Sequence, residues 1–173
     1  MADKRRDPKH ESIVNAIRSR SGATILPPKG KVRMIIRELK KGRTIGFVID
    51  NRGDHGKQIL CTIFGMPATT NPAPALIAVK GNAMIVPVSA VKPRDTYVIR
   101  FERPVDARAF QDDPIQSISD FMQSWVESFV RRYPDQWFWL YSRWIRRSEM
   151  RHIIRSGIDF QQYVLLHADD FQG

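Results

Sequence analysis

The chain has 173 residues, of which 28 are Lys or Arg and 18 are Asp or Glu, so its formal net charge is +10. Its 42% hydrophobic content, four Trp and nine Phe are enough to build a core, which excludes disordered, collagen-like and coiled-coil chains. The single cysteine, Cys61, excludes an internal disulfide, and its apolar neighbours predict a buried, reduced thiol. No apolar run reaches the roughly eighteen residues of a membrane span, so none is predicted.

The positive charge indicates three possible partners: nucleic acid, an anionic membrane surface or an acidic protein. The sequence contains no zinc-finger spacing, no aromatic RNA-binding signature and no GXXG clamp, so it offers no nucleic-acid-binding module. Charge alone therefore leaves the three partners open, together with a basic surface that simply faces water.

Apolar residues at helical spacing predict a series of helices. These cover residues 9–20, residues 31–39, a segment from a Thr70 or Asn71 cap to Gly81, and residues 115–133. An aromatic-rich stretch over residues 136–147 is also predicted to be helical, whereas residues 148–173 show no clear pattern.

Short runs with strand-like composition separate these helices. They lie at residues 23–26, 44–49, 59–64, 83–88 and 96–101, and residues 103–113 are predicted to be an extended connection. The nearly continuous apolar run 44–49 is typical of a strand buried on both faces of a parallel sheet. The alternation predicts an α/β fold with a mixed, largely parallel sheet flanked by helices.

A polar loop over residues 50–56 follows the run 44–49, at the end of a predicted strand where such sheets bind ligands. Asp50 and Asp54 flank Arg52 and His55, and one interpretation of this pattern is acid–base or polar-substrate chemistry, although composition alone favours a turn. A plain turn is the alternative, because Asp, Asn and Gly are common turn residues. His55 has no second ligand at metal spacing, so no metal site is predicted.

Aromatic and arginine side chains interleave between residues 131 and 147, which read RRYPDQWFWLYSRWIRR. Three interpretations stay open for this segment. The rings could anchor the protein at a membrane interface, stack on single-stranded nucleic acid, or pack against the sheet while the arginines face water.

Several short motifs follow one another in an order that is characteristic of one enzyme family. They are Asp50-Asn51 after an apolar run, IFGMPATT at residues 63–70, Pro74 with Ala75 and Ala78, Glu127 ahead of Pro134, and YPDQWFWLYSRW at residues 133–144. The chain resembles the late acyltransferases of lipid A biosynthesis, the lauroyl/myristoyl group within the glycerolipid acyltransferase-like superfamily. The last motif is the most specific, because many rare residue types coincide in it.

The resemblance runs from about Arg5 to about Arg147. It implies that residues 1–147 form the C-terminal part of an acyltransferase-like α/β domain and that residues 148–173 are a tail. The fold would then be incomplete on its N-terminal side, without the family's membrane anchor and early strands. We therefore expect a partly uncovered apolar surface near residues 44–49.

The resemblance also implies a reaction: transfer of a fatty acyl chain from acyl carrier protein to a hydroxyl of an anionic glycolipid or phospholipid. The place would be the cytoplasmic face of the inner membrane, with this chain bound peripherally and no cofactor or metal. In this family a His, followed after four residues by Asp or Glu, takes the hydroxyl proton. The residues five positions after His10, His55, His152 and His167 are Asn15, Leu60, Gly157 and Gln172.

No catalytic residue is therefore assigned, and the enzyme would need its missing half in cis or in trans. The family's motifs imply a substrate-binding or site-shaping set, which is Arg5, Arg6, Asp50, Asn51, Arg52, Phe64, Gly65 and Thr70. They imply a structural set as well, which is Glu127, Pro134, Gln136, Trp139, Arg143 and Trp144. Residues 64–70 would line the acyl or headgroup pocket.

The chain departs from the family's pattern at three positions: Tyr141 replaces His, Ser142 replaces Arg, and Asn51 replaces Gln. The alternative function is a non-catalytic basic module that binds anionic lipid or acyl carrier protein. A nucleic-acid partner is supported by charge alone and is not expected.

Overall fold

The computed structural model describes residues 8–25, 32–53, 58–141, 143–144 and 147–166. The chain divides into two compact units, residues 1–33 and 34–173. The smaller unit contains helix α1, Pro8–Ser19, on which Ile13 and Ile17 are exposed. Helix α2, Val32–Lys40, begins in the last residues of this unit and continues into the larger one. Both helices confirm the sequence prediction, whereas residues 23–25 form no strand and Leu26 lies outside the described residues.

The larger unit is a mixture of helices and short strands. In chain order these are β1 (Ile59–Ile63), β2 (Met66–Thr70), α3 (Ala73–Gly81), β3 (Met84–Ile85), β4 (Val88–Val91), β5 (Val98–Phe101), β6 (Val105–Asp106), α4 (Pro114–Arg132), α5 (Arg147–Ser156) and α6 (Phe160–Leu166). The predicted helix that ends at Gly81 is confirmed as α3. The helix predicted over residues 115–133 is confirmed as α4, which begins and ends one residue earlier than predicted.

Strands β1 and β2 form an antiparallel hairpin that the sequence did not predict as such. Its register pairs Ile59 with Thr70 and Ile63 with Met66. The two turn residues, Phe64 and Gly65, have φ values of 53° and 75°. Two consecutive left-handed residues make the turn that matches the twist of a hairpin, so the IFGMPATT motif folds back on itself.

The largely parallel sheet is a correction. The described residues form three two-stranded sheets, β1–β2, β3–β6 and β4–β5, and each pair is antiparallel. The physical reason is connection length, because β1–β2 and β4–β5 are joined by two and six residues, whereas a parallel pair needs a crossover of a dozen or more. The run 44–49 is not a strand, and residues 44–48 have no hydrogen bond within the described part of the chain.

Helix α4 is the centre of the larger unit. Toward one end, Val126 and Val130 pack with Ile63 and Ala68 of the hairpin. Toward its N-terminus, Ile118 packs in a second cluster with Ala75, Ala78 and Ala107. The apolar spacing that predicts the helix therefore also fixes the hairpin and α3 against it.

The segment after α4 corrects another prediction. The predicted helix over residues 136–147 is not formed: a single 3₁₀ turn, Pro134–Gln136, is followed by irregular turns over residues 137–141 and 143–144, and α5 begins only at Arg147. Pro134 cannot continue the helix, and its carbonyl accepts a hydrogen bond from Trp139 Nε1 at 2.6 Å. In the tail, Ile153 of α5 and Val164 of α6 are buried, and the partly buried Met66 and Trp144 pack against them.

Replacing Gly65 with Ala tests the hairpin turn. A side chain at φ 75° is strained, so we expect the variant to lose about 1 kcal/mol of unfolding free energy in urea titrations. Gly46→Ala is the control, because its added Cβ has no atom within 4 Å and its φ is not left-handed. Equal stability of the two variants would contradict the turn assignment.

Candidate functional site

The loop that carries Asp50, Asn51 and Arg52 is fixed at both ends. At Ile49, the backbone carbonyl accepts a hydrogen bond from Gln123 Nε2 at 2.9 Å. At Gly53, the backbone N–H donates to the carbonyl of Thr69 at 3.1 Å. Asp50 and Arg52 are half-buried between these points and Asn51 is exposed. The backbone of the loop is therefore tied to α4 at one end and to the hairpin at the other.

Arg143 binds the same Thr69 carbonyl as Gly53 of this loop and is completely buried, with 0% of its surface exposed. Its Nη1 donates to the Thr69 carbonyl at 2.8 Å, and its Nη2 donates to Thr70 Oγ1 at 3.1 Å and to Gln123 Oε1 at 3.0 Å. Within the described residues, Nε has no hydrogen-bond partner. The expectation that the arginines of this segment face water is therefore wrong for Arg143, which ties β2 to α4.

Burial lowers the pKa of Arg143 to about 10, because a charged guanidinium loses hydration there. The negative charge of Asp50 favours the charged form and the positive charge of Arg52 opposes it. The loop and the buried arginine are thus electrostatically coupled. Cys61 is 3% exposed and free, which confirms the predicted buried thiol, and burial raises its pKa to about 12.

Glu127 holds the hairpin turn. Its Oε2 accepts a hydrogen bond from the backbone N–H of Phe64 at 2.6 Å, and its Oε1 accepts from Nε and Nη2 of Arg131 at 2.9 and 2.7 Å. The Arg131 guanidinium in turn lies 5.0 Å from the centre of the Phe64 ring. The bond from Phe64, followed by the one from Arg131, lowers the pKa of Glu127. Glu127 is therefore a clamp between α4 and the β1–β2 turn.

Changing Glu127 to Gln should reduce the unfolding free energy at neutral pH by about 1–2 kcal/mol, because one amide oxygen replaces two carboxylate oxygens. A carboxylate with a lowered folded pKa stabilises the fold above its unfolded pKa and stops doing so as pH falls through the folded value. The gap between wild type and variant should therefore close below pH 4.5, the ordinary glutamate value. Urea titrations across pH measure it, with the exposed Glu102→Gln as control; a pH-independent gap would contradict the clamp.

An aromatic cluster surrounds the same turn. Phe64 lies 6.3 Å from both Trp137 and Trp139 and 6.4 Å from Trp144, measured between ring centres. Trp137 and Trp139 meet edge to face at 4.8 Å. Trp139 nevertheless remains 55% exposed and Phe138 66% exposed. The packing interpretation is thus confirmed for Trp137 and Trp144, while Phe138 and Trp139 present ring surface to solvent.

An apolar groove of about 640 Å³ is lined by Ile49, the residue directly before the Asp50 loop. Its lining comes from Leu39, residues 42–47, Ile49, α3, residues 82–88, Phe101 and the middle of α4. Phe47 and Ile49 line it, and Phe47 and the neighbouring Val48 are 41% and 75% exposed. The expected uncovered apolar surface near residues 44–49 is confirmed. The lining contains none of residues 64–70, which form the hairpin instead.

The residues of the structural set contact different parts of the larger unit. The carbonyl oxygen of the Gln136 side chain accepts a hydrogen bond from the Lys92 N–H at 3.1 Å, and Trp144 packs against both the Val126 and Val164 clusters. Gln123, which no motif indicates, is the residue that sequence reasoning missed. Gln123 lies four residues after the buried Ser119 and three residues before the buried Val126. A polar residue at this spacing falls on the buried face of α4, and that is the signal that could have identified it.

Other sequence-predicted residues are not brought to this site by the described structure. Arg5, Arg6, Asp54 and His55 lie outside the described residues. His152 is exposed on α5. Across the described ranges, His, Cys, Asp and Glu form no cluster of three or more suited to a metal ion. No helix in those ranges has the length and apolar character needed to cross a membrane.

Comparison with known proteins supplies the family. Residues 1–146 match the model of the family described as bacterial lipid A biosynthesis acyltransferase, and this match spans most of the 173 residues. A search of curated proteins finds no match. With the Asp50 loop, the hairpin motif and the buried Arg143 in place, the chain belongs to the bacterial lipid A biosynthesis acyltransferase family.

Proposed function

We propose that this chain contributes the acyl-binding and site-shaping part of a lipid acyltransferase. The donor would be acyl carrier protein, and the acceptor would be a hydroxyl of an anionic glycolipid or phospholipid at the cytoplasmic face of the inner membrane. The observation that carries the proposal is the apolar groove ending at Ile49, directly before the polar Asp50 loop. An acyl donor needs an apolar groove for its chain next to a polar surface for its reacting group, and the groove and the Asp50 loop provide these side by side.

The groove is the proposed place for the acyl chain. Its volume of about 640 Å³ lies within the usual range for small-molecule sites, roughly 300–1,000 Å³. Its walls are supplied mainly by apolar side chains such as Ile77, Met122 and Trp125. Among the lining residues that the structure describes, Arg43 is the only cation, and it is paired with Glu38 at 3.1 Å. Burying a hydrocarbon chain here would remove apolar surface from water on both partners.

The loop is the proposed place for the polar groups. Asp50 accepts hydrogen bonds or orients a donor, and Arg52 attracts an anion such as a phosphate. Neither Asp50 nor Arg52 is part of a His followed after four residues by Asp or Glu, which is the pair that the resemblance implies. The proton-abstracting pair would therefore come from a segment other than the matched motifs, in cis or in trans.

The direct test is an acyl-transfer assay with lauroyl-acyl carrier protein and an acylated, phosphorylated disaccharide lipid. We expect saturable binding of the acyl donor but no transfer above background by residues 1–173 alone. Transfer should appear when a polypeptide carrying the His–acid pair is added. Turnover by this chain alone would contradict the assignment of the base to another segment.

Filling the groove tests the acyl site. Val86 lines it and is 41% exposed, so Val86→Trp adds bulk at the groove without crowding the core. We expect this variant to weaken binding of a fluorescent lauroyl chain on the order of tenfold, about 1.4 kcal/mol. Val98→Trp is the matched control, because Val98 is 39% exposed and is not among the lining residues. Equal affinities in a fluorescence titration would exclude the groove as the acyl site.

A second candidate function, a non-catalytic module for anionic lipid, is supported by the β4–β5 hairpin. One face of this hairpin carries the cross-strand pairs Val88–Phe101 and Ala90–Ile99. Phe101 is 72% exposed and Ile99 is 53% exposed. Exposed cations, Lys92 and Arg94, lie in the connection between the strands. An apolar face beside positive charge suits a membrane interface.

Vesicle sedimentation distinguishes the two functions. If the chain is a non-catalytic module, it should bind vesicles with 30% anionic lipid, and this binding should weaken steeply with added salt. No acyl product should then form, even when every component of the transfer assay is present. Product formation in the complemented assay would favour the enzyme instead.

A further inference from the structure

The amide of Gln123 bridges two groups that differ in hydrogen-bonding character. Its Nε2 donates to the Ile49 carbonyl at 2.9 Å, and its Oε1 accepts from Arg143 Nη2 at 3.0 Å. The residue is 1% exposed, so water does not compete for either bond. This side chain therefore joins the buried arginine to the backbone just before Asp50.

Arg143 sets which way the amide faces. A guanidinium only donates and a backbone carbonyl only accepts, so the oxygen of Gln123 must face Arg143 and the nitrogen must face Ile49. Arg143 is itself fixed by bonds to Thr69 and Thr70 on β2. The chain of contacts runs without interruption from β2 through α4 to the start of the loop.

We propose that Gln123 is a positioning residue, which holds the backbone at Ile49 and thereby fixes the Asp50 carboxylate at the end of the groove. The second anchor, from Gly53 N–H to the Thr69 carbonyl, lies on the same strand that binds Arg143. With one anchor at each end, the loop has a single place relative to the groove lining at Ile49. The consequence for acyl transfer rests on the proposed function, whereas the positioning itself does not.

Substitutions at Gln123 separate this role from a purely structural one. Gln123→Glu keeps an oxygen for Arg143 but loses the donor to Ile49, so the fold should stay stable while the loop is released. Gln123→Leu loses both bonds. Gln116→Leu is the matched control, because Gln116 also lies on α4 and donates to a backbone carbonyl, that of Leu60, at 2.7 Å.

The readout is the backbone ¹⁵N order parameter of Asp50 and Asn51 and the amide exchange rate of Gly53. In wild type and in Gln116→Leu we expect order parameters near 0.85, and in both Gln123 variants values below about 0.6. Exchange at Gly53 should become at least about fivefold faster in those variants, as loss of one hydrogen bond predicts. Unchanged loop values in Gln123→Glu, or the same loosening in Gln116→Leu, would overturn the proposal.

The complemented transfer assay then tests the consequence. If the proposed function holds, Gln123→Glu should lower kcat at least about tenfold and leave KM for the acyl donor unchanged, because the groove is intact. A raised KM with unchanged kcat would contradict the positioning of Asp50. Absence of transfer with wild type would reject the proposed function alone, since the order parameters decide the positioning independently.

Discussion

Replacement of Arg143 by Met should destabilise the protein by about 3 kcal/mol. The thioether fills similar volume but donates no hydrogen bond, so Gln123 Oε1 and Thr70 Oγ1 lose a charged donor inside the fold. Removing the charge also removes the cost of dehydrating a guanidinium, which offsets part of the loss. The acceptors remain in place, however, and buried acceptors without a donor are costly. The loss therefore exceeds the gain.

Urea unfolding monitored by tryptophan fluorescence measures this effect, because Trp137 and Trp144 lie in the packed cluster. Arg132→Met is the matched control: Arg132 is an exposed residue at the end of α4, and its loss should change stability by less than about 0.5 kcal/mol. If both variants unfold at the same urea concentration, Arg143 does not hold the hairpin to α4.

Gly53→Ala should have the next largest effect, a loss of about 2–3 kcal/mol. A Cβ at this position would lie 2.9 Å from the backbone nitrogen of Asn71 and would overlap the side chain of Gln58. The Gln58 side chain can move aside, but the backbone of Asn71 follows directly after β2 and cannot move without disturbing the hairpin. The loop would shift, and with it the anchor between Gly53 and Thr69.

A double variant separates the two collisions. Gly53→Ala with Gln58→Ala removes the flexible obstacle and leaves the backbone one, so we expect partial recovery relative to the sum of the single variants. The two single changes and the double change are compared by thermal and urea unfolding. Full recovery would mean that the Asn71 backbone is no obstacle; strict additivity would mean that Gln58 is none.

Local pattern correctly predicted the four helices α1 to α4, although it wrongly predicted a helix over residues 136–147. The apolar face of residues 115–133 and the stop at Pro134 depend on spacing and on one residue's chemistry, both of which are local. The run 44–49 shows the limit of such reasoning. Its composition is typical of a buried strand, but strand formation needs a partner, and no partner for residues 44–48 lies within the described chain.

The site divides in the same way. Asp50, Phe64 and Glu127 were identified because they belong to recognisable motifs, and the structure places the last two in direct contact. Gln123 was not identified, since a single Gln in an amphipathic helix has no distinctive neighbours in sequence. Its importance arises from Ile49 and Arg143, which lie 74 and 20 residues away.

The sequence by itself determined the family, the principal helices and the burial of Cys61, because residue type and spacing carry each of these. The uncovered apolar surface near residues 44–49 was expected for another reason, since the resemblance implies that early strands are missing. Only the tertiary structure decided that the IFGMPATT motif is a hairpin and that its strands pair antiparallel. It also decided that Arg143 is buried and joins β2 to α4 through hydrogen bonds. These depend on left-handed backbone angles at Phe64 and Gly65 and on hydrogen bonds across more than 70 residues.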